Sequence, residues 1–315
     1  MRILIAEDEP VSRRRLEAFL QKWGYTVLVT VDGADALRVL AQPDSPTLVV
    51  LDRMMPHIDG LEVCRRIRTI SAERYVYVIL LTANGHQNEI IEGFEAGADD
   101  YITKPFELSE LKARVRTGAR IVQLHEELIA AREQLRIEAT HDSLTGLLNR
   151  TAFFDSLSKA VARARRHKTP LAIIMADLDQ FKQINDTCGH LVGDFVLRET
   201  AARLRASLRA SDIIGRFGGE EFVVAVPEVD LPAVMALAER VRESICQRPF
   251  DAPDRRIAVT MSLGVTATSN MEQSGRLLDV ADRALYEAKR DGRNRVAVEL
   301  LEPMHEVARG DAGGS

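Results

Sequence analysis

Thr47-Leu48-Val49-Val50-Leu51-Asp52 (TLVVLD, 47–52) is an uninterrupted apolar run closed by a carboxylate. A short run of this kind, rich in β-branched residues, is a strand buried on both faces. Working outward, comparable runs occur at 3–6, 25–31, 76–81 and 101–102, with amphipathic stretches between them. One of these, 12–22, places Leu16, Phe19 and Leu20 on one helical face. Strands that alternate with helices make a parallel sheet covered on both sides. Ligands of such sheets bind beyond the carboxyl ends of the strands. Here the first run ends in Glu7-Asp8, the third in Asp52 and the fourth in Thr82, and the fifth is followed by Lys104-Pro105. Three carboxylates from two strand ends repel one another unless a cation sits among them, and hard oxygen donors suit Mg²⁺. A lysine and a hydroxyl at the same edge supply donors for a phosphoryl group. Five such residues at one sheet edge are more than strand-end polar caps.

The 315 residues leave room for two domains. With 46% hydrophobic and 28% charged residues the composition is that of a folded globular protein. A formal net charge of −5 leaves no basic excess for a phosphate backbone, so no nucleic-acid partner is expected. Arg13-Arg14-Arg15 and the basic stretch 163–168 lack interleaved aromatics and read as solvated helix faces. The three cysteines form no CxxC, which excludes a disulfide framework and a cysteine zinc site and suits a reducing cytosol. The seven histidines show no HExxH or HxxxH spacing. Glu7, Asp8 and Glu9 come too early for a signal peptide, and the longest apolar run, around 76–83, is too short to span a membrane. A soluble, cytoplasmic protein without a membrane partner is the expectation.

LVVLDRMMPHIDG (48–60) and YITKPF (101–106), together with Glu7, Asp8, Asp52, Thr82 and Lys104, resemble a two-component receiver domain, which has a flavodoxin-like fold with a five-stranded parallel sheet. The resemblance implies that Asp52 accepts a phosphoryl group from a sensor histidine kinase. It implies that Glu7, Asp8, Asp52 and the carbonyl of Met54 hold one Mg²⁺ ion. Thr82 and Lys104 then read the phosphoryl group, Tyr101 is the switch aromatic, and Lys104–Pro105 is a cis bond.

From Glu107 the pattern stays helical without proline for about thirty residues. Ile121, Leu124, Leu128, Ala131 and Leu135 step by 3, 4, 3, 4, a short a/d seam, with Glu126, Glu127, Arg132, Glu133 and Arg136 off it. Covering a sheet takes only about three helical turns. The remainder reads as a coiled coil with a second copy, in preference to an amphipathic helix packed on its own chain.

Beyond 141 a second fold begins. Strands are expected at 171–175, 213–214, 222–226 and 257–265, and helices at 150–166, 193–208, 232–245 and 275–289. Residues 213–226 read as a β-hairpin with Gly218-Gly219 at its tip, so the domain is α+β. The strand at 171 runs into Asp177 and Asp179, followed by Lys182, Asn185 and Asp186, and the hairpin carries Glu220-Glu221. If the two strands are neighbours, Asp177 and Glu220 face each other. They could then clamp two divalent ions about 3.5–4 Å apart, which activate a hydroxyl and stabilise a leaving pyrophosphate. Glycines let a triphosphate approach the backbone closely. There is no GxxxxGK[ST] and no GxGxxG.

RFGGEEF (216–222), HDSLTGLLNR (141–150), DLDQFKQINDTCGHLVGD (177–194), TMSLGV (260–265) and ADRALYEAKRDGRNR (281–295) resemble the GGDEF family of diguanylate cyclases, with a fold like that of nucleotidyl cyclases and ferredoxins. The resemblance implies condensation of two GTP into cyclic di-GMP and two pyrophosphates, with two Mg²⁺ ions per catalytic site and Mn²⁺ as a possible substitute. It implies that Asp177, the carbonyl of Leu178, Glu220 and Glu221 bind metal, that Glu220 is the base for the ribose 3′-hydroxyl, and that Lys182 stabilises the transferring phosphate. Asn185 and Asp194 would recognise guanine, a carboxylate accepting from the amino and ring N–H groups that adenine lacks as a pair. Lys289 and Arg293 would contact the triphosphate. Arg209-Ala210-Ser211-Asp212 matches the family's RxxD inhibitory site for cyclic di-GMP, with Arg240 as its additional arginine.

The expected division is a receiver at 1–120, a helical linker at 121–140, the GGDEF domain at 141–300 and a disordered tail at 301–315. The leading expectation is a phosphorylation-regulated diguanylate cyclase with product feedback, working as a homodimer or higher assembly. The alternatives are a catalytically silent receptor for the nucleotide or for cyclic di-GMP, and a cyclase acting within one substrate. Intact acidic residues at 177 and 220–221 count against both.

Overall fold

The computed structural model describes residues 1–70, 74–83, 87–252 and 255–301. The tail expected to be disordered therefore lies, after Leu301, outside the described residues. The chain divides into two compact units, Met1–Gln134 and the remainder from Leu135.

The first unit alternates β1 (Arg2–Ala6), α1 (Pro10–Lys22), β2 (Thr26–Thr30), α2 (Gly33–Leu40), β3 (Leu48–Asp52), α3 (Gly60–Ile70), β4 (Tyr77–Thr82), α4 (Gln87–Glu95), β5 (Asp100–Thr103) and α5 (Leu108–Thr140). Its sheet is parallel throughout, in the order β2-β1-β3-β4-β5. β3 and β4 are buried along their whole length, which is why the run that ends at Asp52 is continuously apolar rather than alternating. Successive residues feed opposite layers. Val49 and Leu51 join Val63, Cys64 and Ile67 of α3, whereas Leu48 and Val50 join Leu16 and Leu20 of α1 and Leu111 and Val115 of α5. Truncating such a residue to alanine costs about 2–5 kcal/mol. Helix α1 starts where it does because the Glu9 carboxylate accepts from the amides of Val11 (3.0 Å) and Ser12 (2.6 Å) with Pro10 in the first turn.

On α5 burial ends at Val122. Beyond it Leu124, Leu128 and Leu135 are more than half exposed, with Ile129 and Ile137 exposed as well, and Ile121 just before it is also exposed. Among the described residues nothing covers this apolar surface.

The second unit comprises α6 (Arg150–His167), β6 (Leu171–Leu178), α7 (Phe181–Cys188), α8 (His190–Ser207), β7 (Ile213–Gly218), β8 (Glu221–Pro227), α9 (Leu231–Cys246), β9 (Phe250–Ala252), β10 (Arg255–Ile257), β11 (Met261–Thr268), α10 (Leu277–Arg290) and β12 (Val296–Val298). Its main sheet runs β12-β11-β6-β8-β7, antiparallel except for the β11–β12 pair. The fully buried β6 is central, with Ile174 in one layer and Ile173 and Met175 in the other.

Two expectations need correction, and one strand was not expected. The run at 257–265 is two strands, because residues 258–260 leave the small β9–β10 ribbon to join the main sheet. The helix expected from 193 starts at His190, and a separate helix, α7, precedes it; Gly189, with φ of 84°, separates them. β12 is only three residues long, too short to show a period.

Candidate functional site

Two acidic sites form at strand ends, one in each unit. In the first unit β1 delivers Glu7 and Asp8, and its parallel neighbour β3 delivers Asp52. One oxygen from each lies within 4.8 Å of the others, the only such cluster of potential metal ligands among the described residues. Lys104 bridges two of them, its Nζ lying 2.7 Å from Glu7 Oε2 and 3.0 Å from Asp52 Oδ2. Burial pushes the Glu7 carboxyl above its ordinary range; Lys104 opposes this and Asp52 reinforces it. The other oxygen, Glu7 Oε1, is buried with no hydrogen-bond partner among the described residues. An orphaned carboxylate oxygen in a cluster of acids fits a hard cation. Thr82, nearly fully buried, sits at the end of β4, and Lys104–Pro105 is cis. The half-buried Tyr101 ring meets Phe94 edge-on at 5.7 Å. Met54 is exposed, and its amide faces Asp52 Oδ1 at 3.4 Å.

In the second unit β6 and β8 are neighbours, and Asp177 pairs with Glu221. Glu220 does not face Asp177 directly: Gly218 pairs with Glu221, so Gly219 and Glu220 form the two-residue turn. The turn still lies against the end of β6, where the Leu178 amide donates to the Glu220 carbonyl at 3.3 Å. Asp177 is buried, whereas Glu220 is half-buried and Glu221 and Lys182 are exposed. Lys289 of α10 places Nζ 2.9 Å from Asp177 Oδ2. Helix α10 lies flat on β11 because Gly264 has no side chain; a Cβ there would collide with backbone atoms of Ala281 and Leu285. Burial raises the Asp177 carboxyl to about 6, with Lys289 pulling it down and Glu220 and Glu221 pushing it up. A group of acids that repel one another around one ammonium has the donor chemistry for divalent cations.

Gly193, next to Asp194 at the start of α8, packs so closely on the Asn185 amide of α7 that a Cβ would overlap its Oδ1. Arg293 follows α10 with φ of 62°, its side chain exposed. Away from this cleft, Arg209 and Asp212 form a closed turn. The Arg209 amide donates to Asp212 Oδ2 at 2.8 Å and the Asp212 amide to the Arg209 carbonyl at 3.1 Å. Arg240 Nη2 reaches the Ser207 carbonyl at 3.0 Å, beside that turn.

Residues 139–295 match the GGDEF diguanylate cyclase domain, and residues 3–116 match the response regulator receiver domain. The coiled coil and GGDEF domain of DgcB from Caulobacter crescentus, solved in complex with c-di-GMP, is 34% identical with a TM-score of 0.54, covering 60% of this chain and 99% of that one. The chain belongs to the GGDEF family, with a receiver domain ahead of the GGDEF domain. The response regulator PleD of Caulobacter vibrioides is 33% identical over 298 residues, covering 94% of this chain but only 65% of that protein's length. The diguanylate cyclase SiaD of Pseudomonas aeruginosa, solved with its activator SiaC, is 34% identical with a TM-score of 0.50, covering 61% of this chain and 74% of that one.

Within this GGDEF domain the sequence reading missed the Asp142–Arg216 pair and named Asp179 without its partners. Asp142 accepts from Thr145 and from Arg216 Nη1 (3.0 and 3.1 Å), while Arg216 also donates to the Gly219 carbonyl. This clamp ties the domain's entry segment to the hairpin tip. Asp179 turns inward, where it accepts from Thr260 Oγ1 and Ser262 Oγ, both at 2.7 Å. An alternating Asp-Leu-Asp signals that both aspartates share a strand face, and no pattern in it tells the one that meets Lys289 from the one bonded to Thr260 and Ser262.

Proposed function

We propose that this chain is a phosphorylation-regulated diguanylate cyclase that condenses two GTP into cyclic di-GMP and two pyrophosphates. The observation that carries the reading is the Gly219-Glu220 turn laid against the end of β6, with Asp177 buried behind it and Lys289 in contact. That geometry puts acids, a flexible cation and side-chain-free backbone around one opening.

Asp177, the Leu178 carbonyl, Glu220 and Glu221 would hold two Mg²⁺ ions, or Mn²⁺ in their place. Those ions, when bound, polarise the ribose 3′-hydroxyl and offset charge on the departing pyrophosphate. Glu220 takes the 3′-hydroxyl proton as the oxygen attacks the α-phosphorus of the other GTP and the bond to pyrophosphate breaks. Lys182 stabilises the transferring phosphoryl oxygens, and Lys289 moves from Asp177 to the triphosphate beside Arg293. Asn185 and Asp194 select guanine at the α7–α8 corner. The glycines at 218 and 219 admit the triphosphate.

In the receiver, Glu7, Asp8, Asp52 and the Met54 carbonyl would hold one Mg²⁺, and Asp52 accepts a phosphoryl group from a sensor histidine kinase. Thr82 and Lys104 turn toward that group and Tyr101 follows, a local charge event read out elsewhere. The product has two equivalent bonds while each chain carries one set of site residues. Two catalytic domains therefore meet across a two-fold axis in a homodimer, with the exposed α5 seam joining two copies. Arg209, Asp212 and Arg240 bind accumulated cyclic di-GMP and slow the enzyme. The functional divisions are a receiver at 1–120, a linker at 121–140 and a catalytic domain at 141–300, acting in the cytoplasm. The test is to incubate purified protein with GTP and Mg²⁺, with and without acetyl phosphate, and identify the product by chromatography. A cyclic mononucleotide, or unchanged GTP under both conditions, would overturn the reading.

A further inference from the structure

Asp179 is a buried carboxylate with no part in the mechanism above, yet its two oxygens accept three hydrogen bonds. Its Oδ1 accepts from Ser262 Oγ at 2.7 Å, and its Oδ2 accepts from Thr260 Oγ1 at 2.7 Å and from the backbone amide of Asn294 at 3.0 Å. Its own amide donates to the Thr260 carbonyl at 2.9 Å. Three segments far apart in sequence thus converge on one side chain: the end of β6, the start of β11, and the turn between α10 and β12.

That last turn is unusual. Arg293 and Asn294 both take left-handed backbone conformations, with φ of 62° and 47°; asparagine visits this region readily, whereas for arginine it is uncommon. Two contacts hold the turn. The Asn294 amide is fixed by Asp179, and the Asn294 side-chain oxygen accepts from Arg242 Nη1 of α9 at 2.8 Å. Arg242 is in turn paired with Glu239 at 2.5 Å. The chain Asp179–Asn294–Arg242–Glu239 therefore pins the residue next to Arg293 from both sides.

We infer that Asp179, acting through Asn294 and backed by Arg242, is the positioning residue that sets where Arg293 stands relative to Asp177. It fixes the span between the metal-binding carboxylates and the arm that grips the β- and γ-phosphates. This rests on the GTP reading given above. Asp177 and Asp179 then divide the work of one strand end: the first faces the opening, and the second locks the frame behind it. The guanine corner at Asn185 and Asp194 lies on α7 and α8 and shares none of these contacts.

The inference separates the two ends of the substrate. Binding of an unreactive GTP analogue with a methylene bridge between its α- and β-phosphates, and of GMP, should be measured by calorimetry with Mg²⁺ on the 315-residue chain. Asp179→Ala should weaken the analogue about tenfold, as loss of a charge-assisted hydrogen bond does, while GMP changes less than about twofold. Asp179→Asn should restore most of the affinity. Its amide oxygen can still accept from Asn294, and the Ser262 hydroxyl can rotate to accept from the new NH₂. Arg242→Gln and Asn294→Gly leave Asp179 in place and should weaken the analogue about threefold, again sparing GMP; they carry the test if Asp179→Ala does not fold. Equal losses for analogue and GMP, or analogue binding unchanged in Arg242→Gln and Asn294→Gly, would overturn the inference. A wild-type protein that binds neither nucleotide would overturn the GTP reading itself, and this inference with it.

Discussion

The two acidic sites of this chain are built from the same materials and reach different degrees of completion. In the receiver, parallel neighbours β1 and β3 bring Glu7, Asp8 and Asp52 to one point, with Lys104 already across two of them. In the GGDEF domain Asp177 is buried, Glu221 pairs with it, and Glu220 sits in a turn. These three do not gather as the receiver acids do. Parallel strands release their carboxyl ends side by side, so acids there converge by topology. An antiparallel hairpin delivers its acids at a tip, where they line an opening rather than close a cage. On the proposed reading the receiver site would hold a small phosphoryl group by itself, and the GGDEF site would form one face of a larger site shared by two identical nucleotides.

The first way to break this comparison is to remove an acid from the open site. Glu220→Gln should lower product formation by about two orders of magnitude or more, because a two-metal site loses charge that no neighbour replaces. The fold should persist, since Glu220 is half-exposed in a turn, and circular dichroism with a rate assay checks both. Near-normal turnover would remove Glu220 from the chemistry.

The second concerns protons. Asp177 titrates at about 6 against an ordinary 3.8, so between those values the folded protein holds a proton that the unfolded chain has released. That raised value makes stability fall as pH rises from 3.8 through about 6, and it makes metal compete with a proton. Mg²⁺ added at pH 5.5 should release more protons than at pH 7.5, and turnover should decline below about pH 6. Asp177→Asn should lower the proton release, leaving the share that comes from the raised Glu7 carboxyl of the receiver; release unchanged in that variant would contradict the assignment.

Asp142 gives the opposite sign. Despite burial, its hydrogen bonds from Thr145 and Arg216 hold it below 3.8. It stabilises the fold fully above that value, and the contribution disappears as pH falls through the lower folded value. Asp142→Ala should cost the GGDEF domain about 1–3 kcal/mol in denaturant unfolding, with the difference from wild type shrinking in acid. A variant as stable as wild type at neutral pH would show the clamp to be idle.

The smallest effect on initial rate is expected at the turn outside the cleft. Arg209→Ala should leave early turnover largely unchanged and relieve the slowing caused by added cyclic di-GMP, through loss of bidentate recognition. Progress curves with added product decide it, and unchanged inhibition would refute the role.

Much of this was legible in the sequence, for reasons that differ by region. The run at 47–52 announced a doubly buried strand because burial on both faces erases alternation, and strand-end acids then located the receiver site. The hairpin around Gly218-Gly219 was legible from its turn chemistry, though not its register, which put Glu221 rather than Glu220 opposite Asp177. What stayed hidden was long-range. The Asp142–Arg216 pair spans 74 residues and the Asp179–Asn294 contact spans 115, and no local period records such partners. The break at 258–260 was hidden likewise, since a change of sheet leaves an apolar run unaltered.

The claim that the catalytic domain supplies only half of a working site is tested most directly by specific activity against protein concentration. Wild-type protein and Asp52→Asn should each be diluted through a series, with and without acetyl phosphate, while sedimentation records the oligomer. The account predicts that activity per molecule falls on dilution as dimers separate, and that phosphodonor shifts the fall to lower concentration in wild type but not in Asp52→Asn. Specific activity that stays constant as the protein sediments as a monomer, with or without phosphodonor, would contradict it.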